Sequence, residues 1–232
     1  MTDDTQAEQE LAVSPLVARA EAARYALLRR LAPSMRHHLV VNLQPIGMIY
    51  DVMERRLRSP EPDLSHVQES AQKINGFARA ALSSCLDVVT WLAPDEDAGV
   101  SGVEGVRECV GLLATSLSFR GYALRNEVTE LPGKVQRAAI RNVLTAALIH
   151  ATDEYPPPAD LMLTATAADE GLRLVLALRL GDGDRGFTQE AGYRQLGWDD
   201  VQALAAAESV TLKRDAGTIS LTVPWAQAAT AS

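Results

Sequence analysis

The chain reads as an α + α/β protein, a helical hairpin followed by a layered domain of helices and strands. Three observations predict this. Two heptad-spaced apolar seams flank a proline-rich turn, a Pro/Asp/Gly stretch follows at 94–99, and beyond it helix-period and strand-period runs alternate. With 47% hydrophobic and 22% charged residues, the 232-residue chain has the composition of a globular protein able to bury a real core.

Residues 1–14 are polar and acidic and are expected to be a disordered N-terminus. Pro15 opens an Ala/Leu/Arg-rich helix to about 31, where Pro33 punctuates it and Ser34 offers an N-cap for the next. In that next helix Leu39, Leu43, Ile46, Tyr50, Met53 and Leu57 recur at alternating steps of 4 and 3, an a/d seam. Pro60 and Pro62 end it. A second seam runs through Val67, Ala71, Ile74, Ala78, Ala81, Cys85, Val88 and Leu92. Two such helices form an antiparallel hairpin, and an isolated hairpin leaves much of its seam exposed. Dimerisation into a four-helix bundle is the simplest cover, so residues 15–93 are expected to be a dimerisation domain.

Residues 94–101 are a linker by composition. Beyond it, 102–120 reads as a helix, 122–128 as a strand, and 131–150 contains another helix. Strands at 160–167 and 172–180 are joined by a turn, a Gly/Asp loop occupies 181–186, and a helix covers 197–208. Strands at 209–214 and 218–223 close the domain, which spans 102–226 ahead of a short tail at 227–232.

Net charge −8 argues against a broad nucleic-acid footprint. No 18-residue apolar run or signal peptide is present, so a cytoplasmic protein with no membrane partner is expected. Cys85 and Cys109 lie in apolar runs without CxxC spacing and read as buried reduced thiols.

His37 and His38 stand side by side in the first seam helix. On a helical wheel His37 lies about 160° from the seam and His38 about 100° to its side. His37 therefore points out from the bundle. An outward imidazole offers an accessible nucleophilic nitrogen, as a phosphoryl acceptor requires, although geometry alone also fits an ordinary surface histidine.

The stretch HHLVVNLQ at 37–44 resembles the HRxKNNLQ helix of the histidine-kinase dimerisation and phosphotransfer hairpin. It is also similar to the H-D-x-x-N-x-L-Q helix of the sporulation-type phosphotransferases. The second half resembles the Bergerat-type ATPase domain of those kinases. FRGYALRNE at 119–127 is similar to its helix-to-strand entry, IRNVLTAALIH at 140–150 to its L-x-N-L-L-x-N helix, and GTISLTVP at 217–224 to its closing hairpin. The resemblance implies a phosphoacceptor at His37, partner docking at His38, Val41 and Gln44, and a response-regulator receiver domain as partner.

The departures from that pattern lie in the ATP site. The second Asn of the L-x-N-L-L-x-N helix, a Mg²⁺ ligand, is Ala146, leaving Asn142 alone. The Gly-rich loop keeps Asp182 and Gly186 but places Asp184 where a glycine belongs. Gly197 is followed by Asp199 and Asp200 at a helix N-terminus that should cradle phosphates. Position 41, four after the histidine, is Val rather than a water-positioning Thr or Asn, which weakens a phosphatase reading. The expectation is a homodimeric histidine phosphotransferase with a degenerate ATPase-like domain, no cofactor and no metal. A non-catalytic adaptor and a divergent active kinase are the alternatives. Of the remaining candidates, His66 reads as a surface or cap residue and His150 as a helix-terminal one. Asp182, Asp184 and Glu190 read as a solvated acidic loop, and Trp198 and Trp225 as packing.

Overall fold

A computed structural model describes residues 14–93, 99–183, 186 and 192–226. The chain divides into two compact units, Leu31–Pro94 in one and Met1–Arg30 with Asp95–Ser232 in the other. In chain order the elements are α1 (Pro15–Leu57), α2 (Leu64–Leu92), β1 (Gly99–Ser101), α3 (Gly102–Phe119), β2 (Tyr122–Asn126) and β3 (Lys134–Gln136). They continue with α4 (Arg137–Glu154), β4 (Ala159–Ala168), β5 (Gly171–Leu180), α5 (Trp198–Ala207), β6 (Thr211–Asp215) and β7 (Thr218–Pro224).

The hairpin unit contains the rest of α1 and α2. Leu57 ends α1 ahead of the two prolines, and Asp63 caps α2 by accepting the Ser65 N–H at 2.9 Å. The Ser65 hydroxyl, donating to the same carboxylate at 2.6 Å, and that backbone N–H together hold the Asp63 carboxyl below its ordinary range. The expected seams are half right. Leu39, Ile46 and Met53 of α1 and Val67, Ile74, Ala81 and Val88 of α2 are partly or fully buried. Their alternates Leu43, Tyr50, Leu57, Ala71, Ala78, Cys85 and Leu92 are exposed. Asn42 and Ile49 on α1, and Ser70, Phe77 and Ser84 on α2, complete the inward row instead. The inward row keeps the 3-and-4 spacing but takes the other neighbour at every second step, 42 and 49 rather than 43 and 50, so the apolar band spreads over two faces. Cys85 is accordingly an exposed thiol, not a buried one.

The second unit is a five-stranded sheet in the order β2-β4-β5-β7-β6, parallel only between β2 and β4. Leu161 and Leu163, Leu172, Leu174 and Leu176, and Ile219, Leu221 and Val223 share its buried face. Each such side chain contributes about 1.5–3 kcal/mol by leaving water. Helices α3, α4 and α5 cover that face, with α4 central and buried from Ala139 to Thr152. The β4–β5 hairpin turns tightly at Gly171, where a Cβ would meet the Val223 carbonyl oxygen at 2.1 Å.

Two expected boundaries move. The end of the presumed linker is strand β1, which pairs with β3, buries Val100 and caps α3 through Ser101. Pro33 does not separate two helices: α1 is one 43-residue helix with Pro33 and Pro45 inside it. Each proline removes one backbone N–H, but tertiary packing outweighs that local loss. Ala20, Ala23 and Leu27 are fully or almost fully buried, and Arg19, Arg24 and Arg30 pair with Asp199, Glu208 and Asp153. Residues 15–30 thus cluster with the α/β elements, not with the hairpin. No helix among the described residues is long and apolar enough to cross a membrane.

Candidate functional site

In the hairpin unit, His37 and His38 are both exposed, with ring centroids 6.3 Å apart and the rings tilted by 51°. Among the described residues neither imidazole has a hydrogen-bond or ion-pair partner, so both nitrogens of His37 face solvent. Val41 and Gln44 are exposed as well, one and two turns further along the same side of α1, and Met48 continues the stripe. His38 sits on the flank. Asn42 turns the other way: its amide donates to the His38 carbonyl and to Ser84 Oγ of α2, each at 3.1 Å. Sequence reasoning missed Ser84, because a serine within an Ala/Ser/Leu stretch carries no motif.

In the α/β unit Asn142 and Gly197, two of the positions expected to be remnants of an ATP site, are each held by a nearby carboxylate. Asn142 is buried and its amide donates to Glu208 Oε1 at 2.7 Å. Arg24 Nη2 reaches the same oxygen at 3.0 Å. Ala146, fully buried, offers only a methyl. Asp200 is buried and its carboxylate accepts the Gly197 N–H at 3.0 Å while pairing with Arg194 at 2.9 Å. The N-terminus of α5 is therefore occupied by its own acid, where an anion would otherwise sit. Gly186 abuts the turn after α3, since a Cβ there would lie 2.3 Å from the Gly121 nitrogen. Asp182 is exposed; Asp184 and Glu190 lie outside the described residues. Asn142 of α4 is held by Glu208 at the C-terminal end of α5, and Gly197 caps the N-terminal end of that helix, which is about 15 Å long. No group of three metal-capable side chains occurs among the described residues.

The C-terminal end of α4 carries a second network. Arg30 embraces Asp153 with two bonds of 2.7 and 2.8 Å, and Asp153 also accepts the Leu196 N–H at 3.1 Å. His150 is buried inside α4, which continues to Glu154, rather than ending the helix. Its Nδ1 donates to the Leu196 carbonyl at 2.8 Å and its Nε2 lies 3.1 Å from Glu154, which Arg214 also engages. Trp198 packs against that ring at 5.6 Å and beneath Arg214 at 5.3 Å. Trp225 donates to the Ala168 carbonyl and covers Gly133. His66 lies at the start of α2 within 3.7 Å of Asp63 and 3.6 Å of Glu69.

No family model matches the chain, and no curated protein does. Solved structures do. Its structural neighbours are histidine kinases. Acinetobacter baumannii histidine kinase AdeS shares 13% identity over 78% of this chain and 97% of its own, with a TM-score of 0.42. A histidine kinase from Burkholderia phymatum STM815 shares 16% over 94% of this chain and all of its own, also at 0.42. Histidine kinase ThkA, solved in complex with response regulator protein TrrA, shares 13% over 93% of this chain and 68% of its own, at 0.43. Identities and scores this low describe a loose likeness of fold.

Proposed function

We propose that this chain is a cytoplasmic, homodimeric histidine phosphotransferase of a two-component phosphorelay, passing phosphate between receiver-domain aspartates through His37. The single observation that carries the reading is the unpartnered, exposed His37 imidazole on the outward face of α1, within a stretch resembling the phosphotransfer motif. A neutral imidazole nitrogen attacks the phosphorus of an aspartyl phosphate. The new N–P bond forms as the acyl P–O bond breaks, and the departing carboxylate keeps the electron pair. The reverse step delivers the phosphoryl group to a second receiver. The receiver brings its own Mg²⁺ and carboxylates, so the step needs no metal ligand from this chain.

Val41, Gln44 and Met48 supply an exposed strip beside His37 for receiver docking, with His38 at its edge. The second apolar face supports dimerisation: Leu43 and Tyr50 on α1 and Leu82, Leu86 and Val89 on α2 are all more than half exposed in the single chain. The α/β unit serves as scaffold and widens the docking surface. The capture of Asn142 by Glu208, itself paired with Arg24, argues against an ATP-driven kinase.

The test incubates the chain with each of its host's receiver domains, charged with labelled acetyl phosphate. Acid-labile, alkali-stable label on the wild type and none on His37→Gln is the expected result. No label on the wild type from any receiver overturns the phosphotransferase and leaves the adaptor.

A further inference from the structure

The inward row of the hairpin is mostly apolar; Ser70 turns its hydroxyl back to the His66 carbonyl of its own helix, whereas Asn42 and Ser84 meet across the two helices. Ser84 spends its own proton on the Ala80 carbonyl at 3.0 Å, so its oxygen is free to accept from Asn42. A hydrogen-bonded relay therefore runs from the His38 carbonyl through the Asn42 amide and Ser84 hydroxyl to the Ala80 carbonyl. It fastens the turn of α1 that begins at His37 onto α2.

We infer that Asn42 is a positioning residue for His37, fixing the axial rotation and register of α1 against α2 so that the imidazole faces outward. An apolar seam is indifferent to small slips, because one aliphatic contact replaces another. A single polar pair is not. Sliding the helices by one heptad sets Asn42 opposite Phe77 or Trp91 in place of Ser84 and takes away its acceptor. Rotating α1 by one residue, about 100°, carries His37 off the outward face. The Asn42–Ser84 bond joins the two helices side chain to side chain, so the rotation is set at the turn where the phosphoacceptor sits. The position of Asn42 in the resembling motif thus has a geometric use distinct from touching a partner.

This inference rests on the phosphotransfer reading, and the experiment separates the two. Transfer from the charged receiver is followed over a range of receiver concentrations for the wild type, Asn42→Leu, Ser84→Ala and the exchange variant Asn42→Ser/Ser84→Asn. A residue with a merely structural role predicts that Asn42→Leu, which completes the apolar row, melts no lower and transfers as fast. Positioning predicts an unchanged or higher melting temperature with at least a tenfold lower saturating rate and an unchanged half-saturating receiver concentration. Ser84→Ala is expected to lower the rate similarly, the two changes together to be no worse than either, and the exchange variant to recover much of the loss. Folded Asn42→Leu with a wild-type saturating rate overturns the inference and leaves the phosphotransferase standing. An unlabelled wild type overturns both.

Discussion

At the scale of single residues, orientation was legible and partnership was not. The outward direction of His37 follows from its angular offset from the seam, which any helix fixes once the seam is known. The inward direction of Asn42 was equally available, yet its bond to Ser84 joins residues 42 apart and has no signature in the chain. The methyl at Ala146, fully buried, could be read directly. The capture of Asn142 could not, because Glu208 is 66 residues away and Arg24 lies in a different segment altogether. Cys109 shows how burial alone sets chemistry. It is fully buried in α3, and desolvation pushes its thiol up to about 12. Burial moves the Tyr122 hydroxyl in the same direction, against carbonyls of Thr152 and Tyr155 at 2.8 and 2.7 Å. For an acid whose folded value is raised, the stabilisation is fully present below the unfolded value and is lost as pH climbs through the folded one. The melting temperature of the α/β unit should therefore fall steadily from about pH 9 to pH 12. Cys109→Ala should flatten that slope, and an equal slope in the variant would contradict the assignment.

At the scale of elements, nearly every strand and helix of the α/β unit was legible from periodicity and turn residues. The exceptions are short or context-bound. Strands β1 and β3 have three residues each, too few for a pattern to declare itself. The continuity of α1 through Pro33 was hidden because local chemistry favours a break, and only contacts distant in sequence oppose it. The Arg30–Asp153 pair is the strongest of these, with side chains only 11% and 7% exposed and two parallel hydrogen bonds. Arg30→Ala leaves the buried Asp153 carboxylate without its guanidinium, a loss of about 3–5 kcal/mol. Urea unfolding followed by the fluorescence of Trp198 and Trp225 should register it, with partial recovery in Arg30→Met/Asp153→Asn. A change below about 1 kcal/mol would mean that solvent already screens the pair.

At the scale of the whole molecule, the apolar band that spread over two faces of the hairpin separates what one chain can satisfy from what needs a second. Leu82, 61% exposed, and Cys85 share the outward face of α2. Under the dimer reading, Leu82→Glu should yield a monomer by light scattering at micromolar concentration. It should also raise the alkylation rate of Cys85 several-fold, because the thiol loses its cover. A wild type that is monomeric, or a Cys85 whose reactivity ignores the substitution, would remove the four-helix bundle from the proposal. Cys109 should stay unreactive in either state.

The course of α1 has one more consequence, for the order in which the chain is built. Because Arg19, Arg24 and Arg30 belong with carboxylates at 153–208, the hairpin is an insertion within the α/β unit rather than a module placed before it. A nascent chain makes its first helical segment early and must then hold it in reserve through the whole hairpin and most of the sheet. Those contacts cannot close until residues 153–208 have been made, which gives the assembly long-range contacts although it begins as simple local helix.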